Sequence, residues 1–561
     1  MSRVAAIALD SAEWWYVERL MAAGKAPNLA RLRARSAEIP LVTEMAYRTE
    51  AVWARFLSGR EPLEEKDWAA SSVFHPDDYT LSKNTVTMAT PFFALGPGTK
   101  VIAHDLIHSR PVDGVDGTQV VAWGSHSPQY PRSSKPAGLL TEIDARFGIN
   151  PAFNNEFGYG WYDGPYLEAL GQASAVGAER RFETVRWLLD QHPDWDLLVT
   201  CMSEFHTIGH QMWHGVDERH PLHGTPWSDV AGRCSDAAAI ELDASLGRLL
   251  DTLPDDATVL VFALHGQQTA DDIASTLLMP ELFHRLHVGR GKGLMADPDQ
   301  AAWRRAGMPP MLPGPGEEWG DYIIDRFADD RAARVRRALR QRVSRRTFDA
   351  FRRLAGKPMT VPQAAMAHVT PPEVIDPTEA DIDRFRGPND FQAVAWYQRH
   401  WAGMPYFALP TFGDGHVRVN LQGRERDGIV EAGDHKRACD DAIEVLRQAT
   451  NPRTGKPIVG DVLRLRDDDP FDPDGPDADL LIVFQDGPDA LEHPAVGTVG
   501  PFPHLRASQH SPNGFAFLSG PGVQPGPRPA RPAIDMTPTV LSLLGADTSR
   551  CRGTSFAELV P

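Results

Sequence analysis

The 561-residue chain has little cysteine, and its four cysteines are far apart, at Cys201, Cys234, Cys439 and Cys551. Their spacing is that of neither a cysteine-based zinc site nor a disulfide framework. No apolar run approaches the ~18 residues that a membrane-spanning helix needs. The opening MSRVAAIALDSAEWW is not typical of a signal peptide, because its apolar run leads directly into Asp10 and no small-residue cleavage site follows. We therefore expect a cytoplasmic protein with no membrane partner.

Positive charge is also scarce, since 57 lysine and arginine residues are outnumbered by 75 aspartate and glutamate residues, for a formal net charge of -18. This balance argues against a general nucleic-acid binder, which carries a basic surface for the phosphate backbone. One helical segment, residues 331–353, is strongly basic. It is either a solvated helix face that pairs with acidic neighbours or a surface that attracts an anionic substrate or partner.

Apolar runs alternate with amphipathic stretches in the first half of the chain. Residues 4–9 have the pattern of a buried strand and are followed by a helix in AEWWYVERLMAAG. DWDLLVTCMSE and ATVLVFALHG are two further buried strands, each preceded by an amphipathic helix. Such strand–helix–strand units predict an α/β fold with a mostly parallel sheet covered by helices on both faces. Ligands of such sheets bind at the carboxyl ends of the strands.

The pattern changes at about residue 281, where proline, glycine and tryptophan begin to interrupt short helices. We interpret residues 281–404 as an inserted cap, partly helical and basic, between the two parts of the core at residues 1–280 and 405–561. In the second part, HVRVNLQGRERDGIV alternates like a pair of strands around a glycine-rich turn, and ADLLIVFQDG reads as a buried strand.

Side chains that can bind metals or anions follow or border several of these elements. Asp10 comes directly after the first strand, where a carboxylate is either a helix N-cap or a metal ligand. Thr49 precedes an amphipathic helix that runs to Leu57. Its hydroxyl is either an ordinary N-cap or a reactive group at a helix N-terminus, which stabilises anions.

Five histidines lie within 18 residues of the segment SEFHTIGHQMWHGVDERHPLH. His206 and His210 are four residues apart, so on a helix both imidazoles face the same side, as chelation of one metal ion requires. Glu204 is either a hydrogen-bonding partner of a ligand or an alternative ligand. His265 follows the strand in ATVLVFALHG, and His510 lies in a loop before FAFLSG. Each of these two, taken alone, is more typical of a structural histidine.

Taken in order, these segments resemble the type I phosphodiesterase/nucleotide pyrophosphatase family of the alkaline phosphatase superfamily. ALDSAEWWYVERLMAAGKAPNLARL is similar to the family's opening strand and aspartate ligand, and RTEAVWARFLSG to its nucleophile segment. SEFHTIGHQMWHGVDERHP resembles its central metal segment, and VFALHG its Ser-Asp-His-Gly strand end. SQHSPNGFAFLSGPGV and IDMTPTVLSLLGAD are similar to closing segments, so the resemblance runs through most of the chain.

The resemblance implies two zinc ions a few ångströms apart and a threonine that attacks the substrate and is later released by metal-activated water. Thr49 matches the attacking threonine. One ion would be held by His206, His210 and His510, and the other by Asp10, Thr49 and His265.

The chain departs from the family at two positions, because His206 and Leu264 stand where the family has aspartate. The first change keeps a ligand, since three histidines with an open position form a catalytic zinc site. Leucine cannot bind a metal, so the second site loses a negative charge and much of its affinity unless Glu50 or Glu204 compensates. We therefore expect one or two divalent ions per chain, with zinc as the first choice.

Three functions fit these observations. The first is a metallohydrolase acting on a phosphate, phosphonate or sulfate ester, with the cap selecting an anionic small molecule. Arg424 is then either an anion contact or part of a structural salt bridge. The second is an enzyme that uses the histidine-bound metal alone for group transfer or for cleavage of a non-phosphate bond. The third is a catalytically degenerate binding protein. The oligomeric state stays open.

Overall fold

The first strand shows why the central sheet forms. All six residues of the strand Val4–Leu9 are buried. Ile7 packs into the apolar cluster on one face of the sheet, and Ala8 packs into the cluster on the other face. Because successive side chains of a strand point to opposite faces, a continuous apolar run is buried on both.

The structure is a computed structural model that describes residues 3–44, 51–61, 72–83, 90–124, 132–153, 163–270, 272–289, 293–295, 299–312, 319, 323, 393–411 and 413–560. The strands are β1 Val4–Leu9, β2 Ala37–Val42, β3 Ser72–His75, β4 Thr80–Lys83, β5 Gly96–His104, β6 Val115–Val121, β7 Ser133–Lys135, β8 Leu197–Met202, β9 Thr258–Ala263, β10 Gly266–Thr269, β11 Tyr406–Leu409, β12 Gly415–Val419, β13 Val459–Arg464, β14 Leu480–Phe484, β15 Leu491–His493, β16 Gly497–Val499, β17 Ser508–Ser511, β18 Asn513–Ser519, β19 Gly526–Pro527 and β20 Arg531–Pro532.

The α-helices are α1 Trp14–Ala22, α2 Pro27–Ala34, α3 Ala51–Ser58, α4 Leu139–Phe147, α5 Gly164–Gln191, α6 Glu204–Val216, α7 Ser228–Leu250, α8 Met279–His287, α9 Gln300–Arg305, α10 His435–Arg447 and α11 Met536–Leu543. A π-helix spans Ala274–Leu278, and 3-10 helices span Ala393–Gly403, Ala432–Asp434, Ala533–Asp535 and Ala557–Leu559.

The central sheet has the strand order β19-β2-β18-β9-β1-β8-β5-β6-β7, with β20 beside β2. Neighbours from β9 through β1, β8 and β5 to β6 run parallel. β18 is antiparallel to both β9 and β2, and β7 is antiparallel to β6. The predicted α/β fold with a mostly parallel sheet is therefore confirmed.

A second sheet has the order β11-β12-β14-β13, and all its neighbours are antiparallel. Its apolar cluster also contains buried residues of α8, which crosses the predicted start of the cap, and of the 3-10 helix Ala393–Gly403, which lies within the predicted cap. Most of the range 281–404, including the basic segment 331–353, lies outside the described residues. The cap boundaries therefore stay a prediction.

The predicted strand pair in HVRVNLQGRERDGIV is wrong, because β12 ends at Val419 and a tight turn follows. The Glu425 carboxylate accepts hydrogen bonds from the Arg418 Nε at 2.6 Å and from the Leu421 backbone N–H at 2.7 Å. A buried carboxylate that binds its own turn overrides the alternating pattern.

No helix in the described ranges is long and apolar enough to span a bilayer. All four cysteines are free thiols, and Cys201 and Cys439 are buried.

Candidate metal centre

The predicted metal ligands come together where parallel strands end. Asp10 directly follows β1, and His265 lies two residues beyond β9. His510 lies on β17, which pairs with β10, the strand that begins immediately after His265. Because β18 runs antiparallel to β9, the chain leaving β17 enters the sheet at the edge where β9 ends. Segments far apart in sequence thus meet at one edge.

His206 and His210 lie on α6, which follows β8 at the same edge. Their rings are 4.4 Å apart between centroids, as expected for residues one helical turn apart. The backbone of the segment before His510 is fixed to this helix, because Ala507 N–H donates to the His210 carbonyl at 2.7 Å. The helix and the β10–β17 hairpin therefore hold their histidines against each other.

Three buried imidazoles form the centre of the site. One nitrogen from each of His206, His210 and His510 lies within 4.8 Å of the other two. His265 adjoins them, with its ring 4.2 Å from that of His510 between centroids. Among the residues that the structure describes, these three form the one group of three or more histidine, cysteine or carboxylate side chains close enough to share a cation.

The hydrogen bond of His210 fixes which of its nitrogens faces the site. Its Nδ1–H donates to the Ser508 carbonyl oxygen at 2.8 Å, and its Nε2 lies 3.2 Å from the Nε2 of His510. Burial and the nearby charges of Arg506 and of the other imidazoles lower the pKa of His210, and burial with the neighbouring His265 lowers that of His510. Both rings are therefore neutral at neutral pH and offer lone pairs.

Asp10 and Ser11 position two other rings. The Asp10 Oδ2 lies 2.9 Å from the His206 Nδ1, and its Oδ1 lies 3.4 Å from the His265 Nε2 and accepts from the Trp53 Nε1–H at 2.9 Å. The Ser11 Oγ lies 2.9 Å from the His206 Nδ1 and 3.3 Å from the His265 Nδ1. A carboxylate on Nδ1 orients an imidazole and makes Nε2 a better ligand.

This donor set fits a divalent metal ion. Two nitrogen ligands of a tetrahedral zinc ion, each at ~2.0–2.1 Å, lie about 3.3 Å apart, and the Nε2 atoms of His210 and His510 are 3.2 Å apart. Neutral imidazoles suit zinc and other late transition metals, while calcium and magnesium prefer oxygen ligands. His206, His210 and His510 are the residues that would hold the ion, and Asp10 and His265 lie directly beside them.

Several predicted residues are not placed at this centre. Thr49 and Glu50 lie outside the described residues, although α3 begins at Ala51 and contacts Asp10 through Trp53. Arg424 lies in the turn after β12 of the second sheet and pairs with Asp479 at 2.7 Å and with Glu425 at 2.9 Å. Its guanidinium donates to carbonyl and carboxylate oxygens through all three nitrogens, which favours the structural interpretation.

Glu204 belongs to a buried ion-pair network rather than to the imidazole group. Its Oε1 accepts from the Arg181 Nε at 3.1 Å, and Arg181 Nη1 donates to the Asp105 Oδ2 at 2.6 Å. The Arg181 and Asp105 side chains are 0% exposed and that of Glu204 is 2% exposed. The network anchors the start of α6 two residues before His206, so it supports the site through the backbone.

We expect Arg181→Met to lower the free energy of unfolding by roughly 3–5 kcal/mol, because it leaves two buried carboxylates without their cation. Urea denaturation followed by circular dichroism measures this loss. Arg186→Met is the matched control on α5, since its ion pairs with Glu183 and Asp190 are solvent-exposed and such pairs contribute at most ~1 kcal/mol. Equal effects of the two substitutions would contradict the anchoring role.

Comparison with known proteins gives a likeness of structure alone. No protein-family model and no curated protein sequence matches the chain. A phosphonoacetate hydrolase from Sinorhizobium meliloti, solved with phosphonoformate, is 12% identical, with 97% of this chain and 96% of that chain covered and a TM-score of 0.44. Wild-type alkaline phosphatase PafA is 12% identical, with full coverage of both chains and a TM-score of 0.45.

Human ectonucleotide pyrophosphatase/phosphodiesterase 5 is 8% identical, with 98% of this chain and 97% of that chain covered and a TM-score of 0.43. Each of the three proteins is thus similar to this chain along nearly its whole length, at low identity.

Leu264 stands where the sequence resemblance led us to expect a metal-binding aspartate. It is 2% exposed and belongs to the apolar cluster that also contains Trp53 and Phe262. Asp10 and His265 lie next to each other. Among the described residues, no third histidine, cysteine or carboxylate lies close enough to both of them to share a cation with them. The leucine is thus part of the core and cannot supply the carboxylate of a second cation site.

Sequence reasoning missed three residues around the centre: Ser11, Glu13 and Arg506. Ser11 has a φ of +58°, a conformation that is rare for residues other than glycine and is often retained at functional sites. Glu13 accepts from the Gln267 backbone N–H at 3.0 Å and from the Ser511 hydroxyl at 2.6 Å, and burial raises its pKa to about 7. Ser11 and Glu13 lie close to Asp10 in the sequence, and this proximity could have pointed to them. No comparable feature of the sequence points to Arg506.

Proposed function

We propose that the protein is a metal-dependent hydrolase that acts on a phosphate, phosphonate or sulfate ester with a single complete metal site. The observation that carries this proposal is the group of three buried imidazoles, His206, His210 and His510, whose nitrogens lie within 4.8 Å of one another. Burial lowers the pKa values of His210 and His510, so both imidazoles are neutral at neutral pH and their nitrogens can bind a shared cation.

The residues of the chain have distinct tasks in this proposal. Asp10 contacts the His206 Nδ1 and the His265 Nε2, and Ser11 contacts the Nδ1 of both rings, so these two residues orient them. The Ser508 carbonyl orients His210. A bound zinc ion would polarise an oxygen of the substrate and lower the pKa of a hydroxyl or water nearby. Thr49 is the proposed nucleophile: its Oγ attacks the central phosphorus or sulfur atom, the alcohol departs with a proton, and water then releases the acid.

The test is a metal analysis combined with a substrate screen. We expect the purified protein to contain about one zinc-like metal atom per chain and to hydrolyse at least one class among p-nitrophenyl phosphate, phosphodiester, phosphonate and sulfate esters. A chelator should stop turnover, and added zinc should restore it. A chain that carries no metal and takes up none from zinc or manganese solutions would instead be a catalytically degenerate binding protein.

A second function is favoured by one specific observation. Leu264 is packed in the core and supplies no carboxylate to a second cation site, for which the described residues offer Asp10 and His265. A single ion at the three histidines would act without the two-metal clamp on attacking and leaving oxygens. Group transfer, or cleavage of a non-phosphate bond by the histidine-bound ion alone, is the alternative. Firmly bound metal together with failure of every ester in the screen would select it.

A further inference from the structure

Glu13 joins the β10–β17 hairpin to the start of α1. It directly precedes the helix, and its backbone carbonyl accepts from the Val17 N–H at 3.1 Å, so the helix fixes its backbone. Its buried carboxylate reaches the hairpin. One oxygen, Oε2, accepts from the Gln267 backbone N–H on β10 at 3.0 Å and from the Ser511 hydroxyl on β17 at 2.6 Å. A single atom therefore binds both strands.

The chain leaves room for this carboxylate at one position. A Cβ atom at Gly266 would overlap the Glu13 Oε2 and would also lie 2.8 Å from the Ser511 Oγ. Gly266 directly follows His265, so the absence of a side chain after this histidine has a spatial reason. A glycine within a strand often marks such a close approach of another group. Any larger residue would push the carboxylate away from the hairpin.

The hairpin carries one imidazole of the cation site and begins beside another. His510 is adjacent to Ser511 on β17, and it pairs with Gln267 across the hairpin. His265 comes directly before Gly266, where β10 begins. The two groups that donate to Glu13 thus belong to the backbone segments that carry these rings. The carboxylate holds the frame of the rings, not the rings themselves.

The same short segment also contacts the helix that carries His206. The Asp10 Oδ2 lies 2.9 Å from the His206 Nδ1, and the Ser11 Oγ lies at the same distance from that nitrogen. Asp10 and Ser11 therefore hold a ring of α6, while Glu13 holds the hairpin of His510. The segment sets the spacing between ligands that come from two separate elements, and metal affinity depends on that spacing.

We infer that Glu13 is a positioning residue for the metal centre: by binding both strands of the β10–β17 hairpin, it fixes His510 at the distance from His206 that a shared ion needs. The inference rests on the cation site of the proposed function, but it does not depend on the hydrolysis of any ester.

Glu13→Ala should weaken zinc binding by about 10- to 100-fold, the usual cost of losing a group that orients metal ligands. The visible spectrum of the cobalt-loaded protein should change as well, because it reports the geometry of the ligands. Glu13→Gln keeps an acceptor oxygen for both donors, so its zinc affinity should stay within about threefold of the wild-type value. The full-length proteins are titrated with each ion at about pH 8, because burial raises the pKa of Glu13 to about 7 and the carboxylate is mostly ionised above it.

Two further variants make the result specific. Glu18→Ala is the matched control on α1, because that carboxylate pairs with Arg33 at 3.3 Å and its side chain is 43% exposed. It should change neither the zinc affinity nor the cobalt spectrum. Ser511→Ala removes one of the two hydrogen bonds and should weaken zinc binding less than Glu13→Ala does. Combined with Glu13→Ala it should add nothing, since both act through one contact, and alone it carries the test if the Glu13→Ala protein does not fold.

A purely structural role predicts a different result. Glu13→Ala would then lower the melting temperature and leave the zinc affinity and the cobalt spectrum unchanged, which would overturn the inference. A glutamine variant as weak as the alanine variant would also overturn it, since charge and not the two hydrogen bonds would then matter. A wild-type protein that binds neither ion would overturn both the inference and the proposed function. Failure of every ester, with the expected zinc results, would remove the hydrolase alone and leave the role of Glu13 in place.

Discussion

His210→Ala is expected to release the metal from the protein and to abolish its activity. The substitution removes one of three imidazole ligands, and the remaining pair offers too few donors to hold an ion against dilution. We expect zinc affinity to fall at least ~1,000-fold, since nearly all of the affinity of such sites comes from the complete ligand set. Metal atoms per chain after gel filtration, measured by mass spectrometry, should fall from about one to near zero.

A matched control is available in the same histidine-rich segment. His223 is exposed, and its Nδ1 contacts the His214 backbone carbonyl rather than the imidazole group. His223→Ala should leave the metal content unchanged. In addition, a chelator should lower the melting temperature of the wild-type protein but not that of His210→Ala, because only a protein that binds the ion in its folded state is stabilised by it. Full metal content in His210→Ala would contradict the proposed ligand set.

The sequence predicts the part of this site that depends on local periodicity. A strand of uninterrupted apolar residues followed by a polar one gives Asp10 its place at the sheet edge, and an i, i+4 spacing gives His206 and His210 a common face. The convergence of His510 and His265 with them has no local signal. It arises from the antiparallel order of β18 and β9 and from the pairing of β17 with β10. It could be predicted from the sequence only through the resemblance of the ordered segments to a known family.

Other features could not be predicted because they depend on contacts between distant residues. Arg506 has no spacing relation to the histidines, and backbone contacts of the segment that follows it, from Ala507 to the His210 carbonyl and from Ser508 to the His210 ring, bring it beside them. Glu204 is adjacent to the histidine segment, yet its charge is directed to Arg181 on α5. The direction of a long polar side chain is decided by packing, which a single sequence does not contain.

The sequence leaves two interpretations of Arg424 open, an anion contact or part of a structural salt bridge. In the structure it lies with Arg418, Glu425 and Asp479 in a buried network, and the pKa of Asp479 is lowered by its hydrogen bonds and ion pairs with Arg424 and His435 despite burial. A turn that appears hydrophilic is thus stabilised by charges paired inside it.

Thr49→Ala is expected to separate metal binding from chemistry. If Thr49 attacks the substrate, removing its hydroxyl should lower the turnover number at least ~1,000-fold, as loss of a nucleophile does in enzymes that form a covalent intermediate. Metal content should stay near one atom per chain, because His206, His210 and His510 are unchanged. The measurement is steady-state turnover of the best ester from the screen, alongside metal analysis of the same samples.

Thr49→Ser is the control that makes this result specific, because it retains a hydroxyl and loses only a methyl group. It should keep measurable turnover, whereas the alanine variant should not, and both should bind zinc equally. If the alanine variant turned over substrate as fast as the wild-type protein, water would have to attack directly. The three histidines would then be the whole of the catalytic centre, as in the reaction by the histidine-bound ion alone.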